Sequence, residues 1–370
     1  MPALACPNCH SLLPFEATAC ATCSHPVAFD PDGGAFLHFR SAAGWLSLSG
    51  KRFAGLPCGN KRLGVCNWLA AGGGNSLCRS CRHNRTIPPL SVPGVLERWK
   101  RVEEAKRRLI YQLSRLGLPL DAGPSPGGLV FDLLYDPSAE GGFSPEVLTG
   151  HAGGVITLNL IEADDAARER IRAAMGEPYR TLLGHFRHEV AHYYWHRLVE
   201  ASPDLPRFRS VFGDERTDYA TALAAHYRRP PESWSDRYIS AYAAAHPWED
   251  FAETFAHYLH IVDVLATARD LHVTVERPSE GVTQISFDPH VADAATLIGC
   301  WIPFASSLNA INRSMGLPDL YPFSLTPTIA FKLDFVIRLV AFTAGRWTPG
   351  DAEAADLKAM AASLTAGLTG

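Results

Sequence analysis

The sequence has nothing that reads as a secretory leader: no apolar run follows a basic start, and cysteines begin already at Cys6. The most apolar late segment, Thr328 to Phe342, carries Lys332, Asp334 and Arg338 and is too short to cross a bilayer, so an amphipathic or buried helix is expected there. No membrane partner and a cytoplasmic location follow as expectations. Cysteine is almost missing after residue 81, because eight of the nine precede residue 82. Cys300 stands alone in an apolar context, which suits a small buried side chain better than a nucleophile. Neither sign of charge dominates overall, 34 Lys/Arg standing against 38 Asp/Glu for a net of -4. That balance hides an asymmetry: up to Gly117 there are 15 Lys/Arg against 6 Asp/Glu, leaving the remainder acidic. Much of the excess lies between Arg98 and Arg115, which reads first as a solvated basic helix face and second as a surface for an acidic partner or nucleic acid. With 47% hydrophobic and 19% charged residues, the 370 residues have the composition of a soluble globular protein of two or three domains.

What is present is concentrated in two places. The first is His188-Glu189-Val190-Ala191-His192, inside a run from Tyr179 to Val199 whose apolar residues Leu182, Leu183, Phe186, Val190, Tyr193, Tyr194 and Leu198 recur at helical steps. Two imidazoles four residues apart lie one turn above each other and can reach one metal ion. A carboxylate directly after the first of them, Glu189, is placed to take a proton from water held at that ion.

The second place is the cysteine-rich beginning. Cys6, Cys9, Cys20 and Cys23 form two C-x-x-C pairs, and each pair can wrap one side of a tetrahedral zinc. Disulfides are the competing explanation, disfavoured where no secretory leader points to an oxidising compartment. Cys58, Cys66, Cys78 and Cys81 make a second set with one such pair, expected to hold a second zinc. His10, His25, His38 and His83 lie nearby as alternative ligands. Sites with all four positions filled by protein leave no place for substrate, so these two zinc ions are expected to be structural.

Pro88-Pro89 and Pro93-Gly94 punctuate the end of that part, giving expected segments of 1–92 for a zinc-binding module with two four-cysteine sites, 93–120 for a linking helix and 121–370 for a catalytic domain. Helical spacing runs from Val95 to Leu116 and stops at Gly117. A flexible Pro/Gly segment is expected from Asp121 to Gly128. Leu129 to Tyr135 and Val155 to Leu160 read as strands, and Asp164 to Met175 as a helix closed by Gly176. Such a sheet edge is suited to pairing with an extended peptide.

Two histidines leave a catalytic zinc one protein ligand short. In Tyr242 to Glu253, Pro247 is where a helix begins, and Glu249 and Glu253 then fall on one face a turn apart. Glu249 is the candidate ligand, and Glu253 the partner that fixes a ligand histidine ring. His246 is the rival ligand. His196 extends the histidine line too far along the axis to share the ion. Asp214 to Asp218 reads as a helix cap, with Asp218 a second candidate for orienting a histidine.

His188-Glu189-x-x-His192 followed by Glu249-x-Phe251-Ala252-Glu253 resembles the gluzincin metallopeptidases, and the glutamate segment is similar to that of anthrax lethal factor, including a tyrosine seven residues before the ligand glutamate, here Tyr242. Eight N-terminal cysteines joined to Trp248-Glu249-Asp250-Phe251-Ala252-Glu253 resemble a bacterial family of zinc-binding metallopeptidases with an N-terminal zinc ribbon, over nearly the whole chain including Asn312 to Asp319. The resemblance implies an α+β, helix-rich zincin-like domain behind a cysteine-rich module, with one catalytic and two structural Zn2+. It also implies hydrolysis of a peptide or protein substrate, with Glu189 as general base and Tyr242 as oxyanion donor. The readings kept beside it are a zinc-ribbon protein that binds nucleic acid or a protein with a non-catalytic metal, and a zinc amidohydrolase acting on a non-peptide amide. The ribbon lacks the basic and aromatic interleaving that would put nucleic acid first. A segment such as Ala201 to Val211 is a candidate cover for the site.

Overall fold

Cysteine loops, not strands, organise the first ninety residues. The computed structural model describes residues 4–40, 44–72, 76–123, 127–138, 149–229, 232–277 and 281–346. The expected flexible segment from Asp121 to Gly128 falls partly outside these, at 124–126. The chain forms two compact units, 1–114 with 120–186, and 115–119 with 187–370.

In the first unit, β1 (Val27–Asp30) and β2 (Ala35–Arg40) form a hairpin, continued by β3 (Gly44–Leu46) and β4 (Arg52–Phe53) in an antiparallel sheet of order β1-β2-β3-β4. Gly34, at a φ of 65° that an L side chain rarely adopts, closes the hairpin by donating its N–H to the Asp30 carbonyl. A short pair, β5 (Leu56–Pro57) and β6 (Leu69–Ala70), follows. Phe29, Phe15, Trp68 and Tyr111 pack their rings together beneath these loops. Asn67 ties the two cysteine segments to each other, its Nδ2 donating to the carbonyls of Phe15 and Ala17 at 2.7 and 3.1 Å.

The second sheet explains why the compact units depart from the segments 1–92, 93–120 and 121–370. Strand β7 (Asn84–Thr86), just past Cys81, pairs in parallel with β8 (Val130–Leu134), so residues after 120 join the cysteine-rich part. Between them runs α1 (Val95–Arg115), and β9 (Gly150–Ala152) and β10 (Val155–Asn159) complete the order β7-β8-β10-β9. Ile156 and Leu158 are buried while Val155 and Thr157 are not, the alternation of a strand with one face inward. The strand stops one residue early because the Asn159 side chain turns back to accept from the Ile161 N–H. Helix α2 (Asp165–Met175) starts at Asp164, whose carboxylate accepts from Ala167 N, and ends at Gly176 with φ 64°.

The basic face of α1 is only partly solvated. Lys106 and Arg107 are buried, because this side of the helix lies on the second cysteine set: Lys106 bonds Glu103 at 2.7 Å and Asn84, and Arg107 donates to the Val65 carbonyl. Lys100, Arg101 and Arg108 make surface pairs with Glu97, Asp165 and Glu16, which is the expected arrangement.

Helix α3 (Leu182–Leu198) passes from the first unit into the second at Arg187. It is followed by α4 (Leu205–Phe212), α5 (Tyr219–Arg228), α6 (Pro247–Asp270), a hairpin of β11 (Thr274–Arg277) and β12 (Gly281–Gln284), α7 (Ala294–Ser314) and α8 (Pro327–Thr343). Helix α6 is the axis of this unit. Phe251 on it meets Phe208 and Phe212 from α4 and Phe335 from α8, with centroids 5.6–6.5 Å apart, and Phe255 one turn later packs against Phe251 at 5.7 Å. The expected cover, Ala201 to Val211, is therefore anchored: Phe208 and Phe212 make α4 a core helix. The apolar run Thr328 to Phe342 is the buried helix α8, and its Lys332 and Asp334 are paired inside with Asp250 and Arg338. Among the described residues, α7 is the one helix long and apolar enough to span a bilayer, and 44% of that stretch is buried in the fold. The mixture of sheets and helices, with a cysteine-rich beginning and a helical end, is α+β.

Candidate metal centres

Three groups of side chains bring metal-ligating atoms within 4.8 Å of one another: Cys6, Cys9, Cys20 and Cys23; Cys58, Cys66, Cys78 and Cys81; and His188, His192 and Glu249. All nine cysteines are free. In the first group, Cys6 and Cys23 Sγ are 3.7 Å apart and Cys9 and Cys20 Sγ 3.6 Å; in the second, Cys66 and Cys78 Sγ are 3.6 Å apart. A disulfide needs about 2.05 Å. Four sulfurs on a tetrahedral zinc at about 2.3 Å lie about 3.8 Å from one another, so both sets fit that ion.

The local backbone is shaped for the same purpose. After each of the first two C-x-x-C pairs the chain turns through a left-handed residue, His10 at φ 63° and Ser24 at 59°, whose N–H groups reach back to the Cys6 and Cys20 carbonyls. The N–H groups of Asn8, Trp68, Cys78 and Cys81 point at the sulfurs of Cys6, Cys66, Cys58 and Cys78 at 3.4–3.5 Å. Donors aimed at sulfur favour thiolates, and burial opposes them: burial pushes the Cys6 thiol up to about 11, while the Ser11 side chain and N–H bring Cys9 down to about 6. A divalent cation resolves the conflict. The second set is wholly buried, and beside it Arg107 is opposed by its own burial but held charged by Cys66, Glu103, Cys81 and Cys78. None of the four nearby histidines belongs to either group; His83, for example, donates Nδ1–H to the Leu129 carbonyl at 2.7 Å.

The third group is built by two helices. On α3, one helical turn brings His188 Nε2 and His192 Nε2 to 3.2 Å. Pro247 and the His246 cap start α6, and Glu249 in its first turn places Oε2 at 3.1 Å from His188 Nε2 and 3.5 Å from His192 Nε2. These three separations match the roughly 3.3 Å edge of a tetrahedron whose metal–ligand bonds are about 2.0–2.1 Å. Glu249 is 1% exposed, and its Oε2 is a buried oxygen without a hydrogen-bond partner, which suits a ligand atom. Among the described residues, no fourth protein ligand joins the group, so the donor set is that of a centre with room for water or substrate.

Around it stand the other expected residues. Glu253, one turn after Glu249, accepts a 2.7 Å bond from His188 Nδ1, which turns Nε2 towards Glu249. Glu189 is set in a surrounding that raises its carboxyl pKa, through burial, above the ordinary range. Tyr242 lies in a short turn, Tyr242–Ala245, before α6, with its ring 5.9 Å from that of His188, and burial keeps its phenol protonated. The rivals are engaged elsewhere. His246 caps α6, accepting from Trp248 N and donating to the Thr217 carbonyl. His196 faces solvent beside Glu200 at 3.0 Å, Asp218 accepts from Thr221 N as the α5 cap, and Cys300 is a partly buried residue of α7. One residue was not anticipated: Tyr219, whose hydroxyl donates to Glu249 Oε1 at 2.7 Å. It lies thirty residues before its partner in no periodic relation to it, so no spacing rule points to it.

The family model described as "Putative zinc-binding metallo-peptidase" matches residues 95–339, and a zinc-ribbon domain model matches residues 3–92. Uncharacterized proteins of Mycobacterium bovis and of two strains of Mycobacterium tuberculosis are each 42% identical over 357 residues, covering 93% of this chain and 96% of theirs. No solved structure matches.

Proposed function

Since the chain belongs to the family of zinc-binding metallo-peptidases described above, with a zinc-ribbon domain at its beginning, we propose that it hydrolyses peptide bonds at the centre formed by His188, His192 and Glu249. The observation that carries this reading is the convergence of three donor atoms from two separate helices, 3.1–3.5 Å apart, with Glu189 directly after the first of them. On this reading the ligand set is of the gluzincin type, two histidines and a glutamate, and Tyr242 stands where the resemblance to anthrax lethal factor places its tyrosine. The two four-cysteine groups hold two further, structural zinc ions. Nine unpaired cysteines suit a reducing compartment such as the cytoplasm.

Zinc held by these residues supplies a Lewis acid that polarises the scissile carbonyl and lowers the pKa of water from 15.7 towards ~7. The chain's own residues do the rest. Glu253 keeps the His188 ring in one tautomer, Nδ1–H towards the carboxylate and Nε2 free for the ion. Glu189 takes the proton of the attacking water, and its raised pKa suits a base that must give the proton back to the departing amine. Tyr242, protonated throughout, donates to the carbonyl oxygen as it gains charge, an effect worth roughly 3 kcal/mol. The test is an unbiased peptide library. The wild-type chain is expected to cleave it, and Glu189→Gln to retain metal and lose cleavage; no cleavage by fully metallated wild-type protein refutes the proposal.

A further inference from the structure

Glu249 uses its two oxygens differently. Oε2 faces the imidazole nitrogens of His188 and His192, whereas Oε1 points away from them and accepts the 2.7 Å bond from Tyr219. A carboxylate with both oxygens free can swing to bind a metal through both, taking up a second coordination position. The position of the phenol is determined by three local devices. Tyr219 is the first residue of α5, and its backbone is set by the Asp218 cap, which accepts from Thr221 N at 2.8 Å. Its ring packs edge-on against His246, which itself caps α6, with centroids 5.2 Å apart. The ring of Trp248, the residue before Glu249, lies 6.1 Å from it.

We infer that Tyr219 is a positioning residue that holds Glu249 to coordination through Oε2 alone, so that water or substrate is the fourth ligand of the ion and no fifth is added. This rests on the reading of His188, His192 and Glu249 as the ligand set. Tyr219→Phe removes the O–H and keeps the ring. The chain is loaded with zinc at the cysteine sites and Co2+ at the third centre, then compared with the unsubstituted chain by visible absorption and by chelator competition. Four-coordinate Co2+ absorbs several-fold more strongly than five-coordinate. The expected result is that Tyr219→Phe lowers the cobalt absorptivity several-fold and weakens metal binding at this centre by about ten- to a hundred-fold, with both cysteine-bound zinc ions retained. An unchanged spectrum together with unchanged affinity overturns the inference while leaving the peptidase reading in place. X-ray absorption at the cobalt of the unsubstituted chain provides a measurement that does not depend on how the variant folds: one carboxylate oxygen is expected, and two overturn the inference. Absence of any third metal in the unsubstituted chain overturns this inference and the ligand-set reading together.

Discussion

Replacing Lys332 with methionine tests what keeps α6, and with it Glu249, in place. The Lys332 ammonium lies inside the second unit and donates at 2.6 Å both to Asp250 Oδ2 and to the Arg237 carbonyl, with the Tyr238 ring 4.2 Å away. Asp250 follows Glu249 directly and has no exposed surface. Methionine fills most of the lysine's volume but strands a carboxylate and a carbonyl. Breaking a buried pair by removing one partner typically costs about 3–5 kcal/mol. The cost depends on pH with a definite sign. Burial already pushes Asp250 up to about 7 with Lys332 beside it. Without the cation its carboxyl rises further and is forced to stay protonated, so the carboxyl's share of the loss is small near pH 6 and grows towards pH 8, on top of a pH-independent share from the stranded carbonyl. Replacing both residues, Lys332→Met with Asp250→Leu, should recover much of the loss, because Asp250 Oδ1 is already a buried oxygen without a partner. The Arg237 carbonyl would remain orphaned, at about 1–3 kcal/mol. Denaturant unfolding of the four proteins at pH 6 and pH 8 provides the measurement. A single variant less than 1 kcal/mol below wild type at both pH values would refute the reasoning.

Three other outcomes are expected. Metal analysis of the purified chain should find about three zinc ions, and a His188→Ala/His192→Ala variant should keep its fold and two of them. Glu253→Gln, which removes the charge accepting the 2.7 Å bond from His188, should weaken metal binding at that centre by about ten- to a hundred-fold, read by chelator competition, with no change at the cysteine sites. Burial brings His257 down to about 4 against an ordinary 6.5, so the unfolded chain takes up this proton first; stability present above pH 6.5 is lost as pH falls towards 4, by up to about 3 kcal/mol, and His257→Gln should flatten that slope in unfolding measured across the range.

What could be read in the sequence was whatever depends on local period. His188 and His192 share a face because of one helical turn, and Glu249 and Glu253 because of another, so both halves of the third centre were legible even though 57 residues separate His192 from Glu249. The C-x-x-C pairs were legible for the same local reason. What was not legible was which surfaces meet. The charges of α1 read as a solvated face, yet Lys106 and Arg107 are inside because the cysteine loops cover them. The parallel pairing of β7 with β8 joins stretches some forty-five residues apart and moves residues 120–186 into the first compact unit. Tyr219 belongs with these, since only the packing of α5 beside the start of α6 brings its hydroxyl to Glu249.

The two four-cysteine groups differ in how much of their sulfur water can see. Cys9 and Cys23 are partly exposed, while every member of the other group is sealed under α1 and the loops around it. Under zinc starvation or oxidative attack the outer group should therefore surrender its ion first and the inner one only after wider opening of the fold. Because Asn67 links the two loops through the Phe15 and Ala17 carbonyls, the early loss would slacken the later site's surroundings as well, and the sequence of damage would run inward from the chain's beginning.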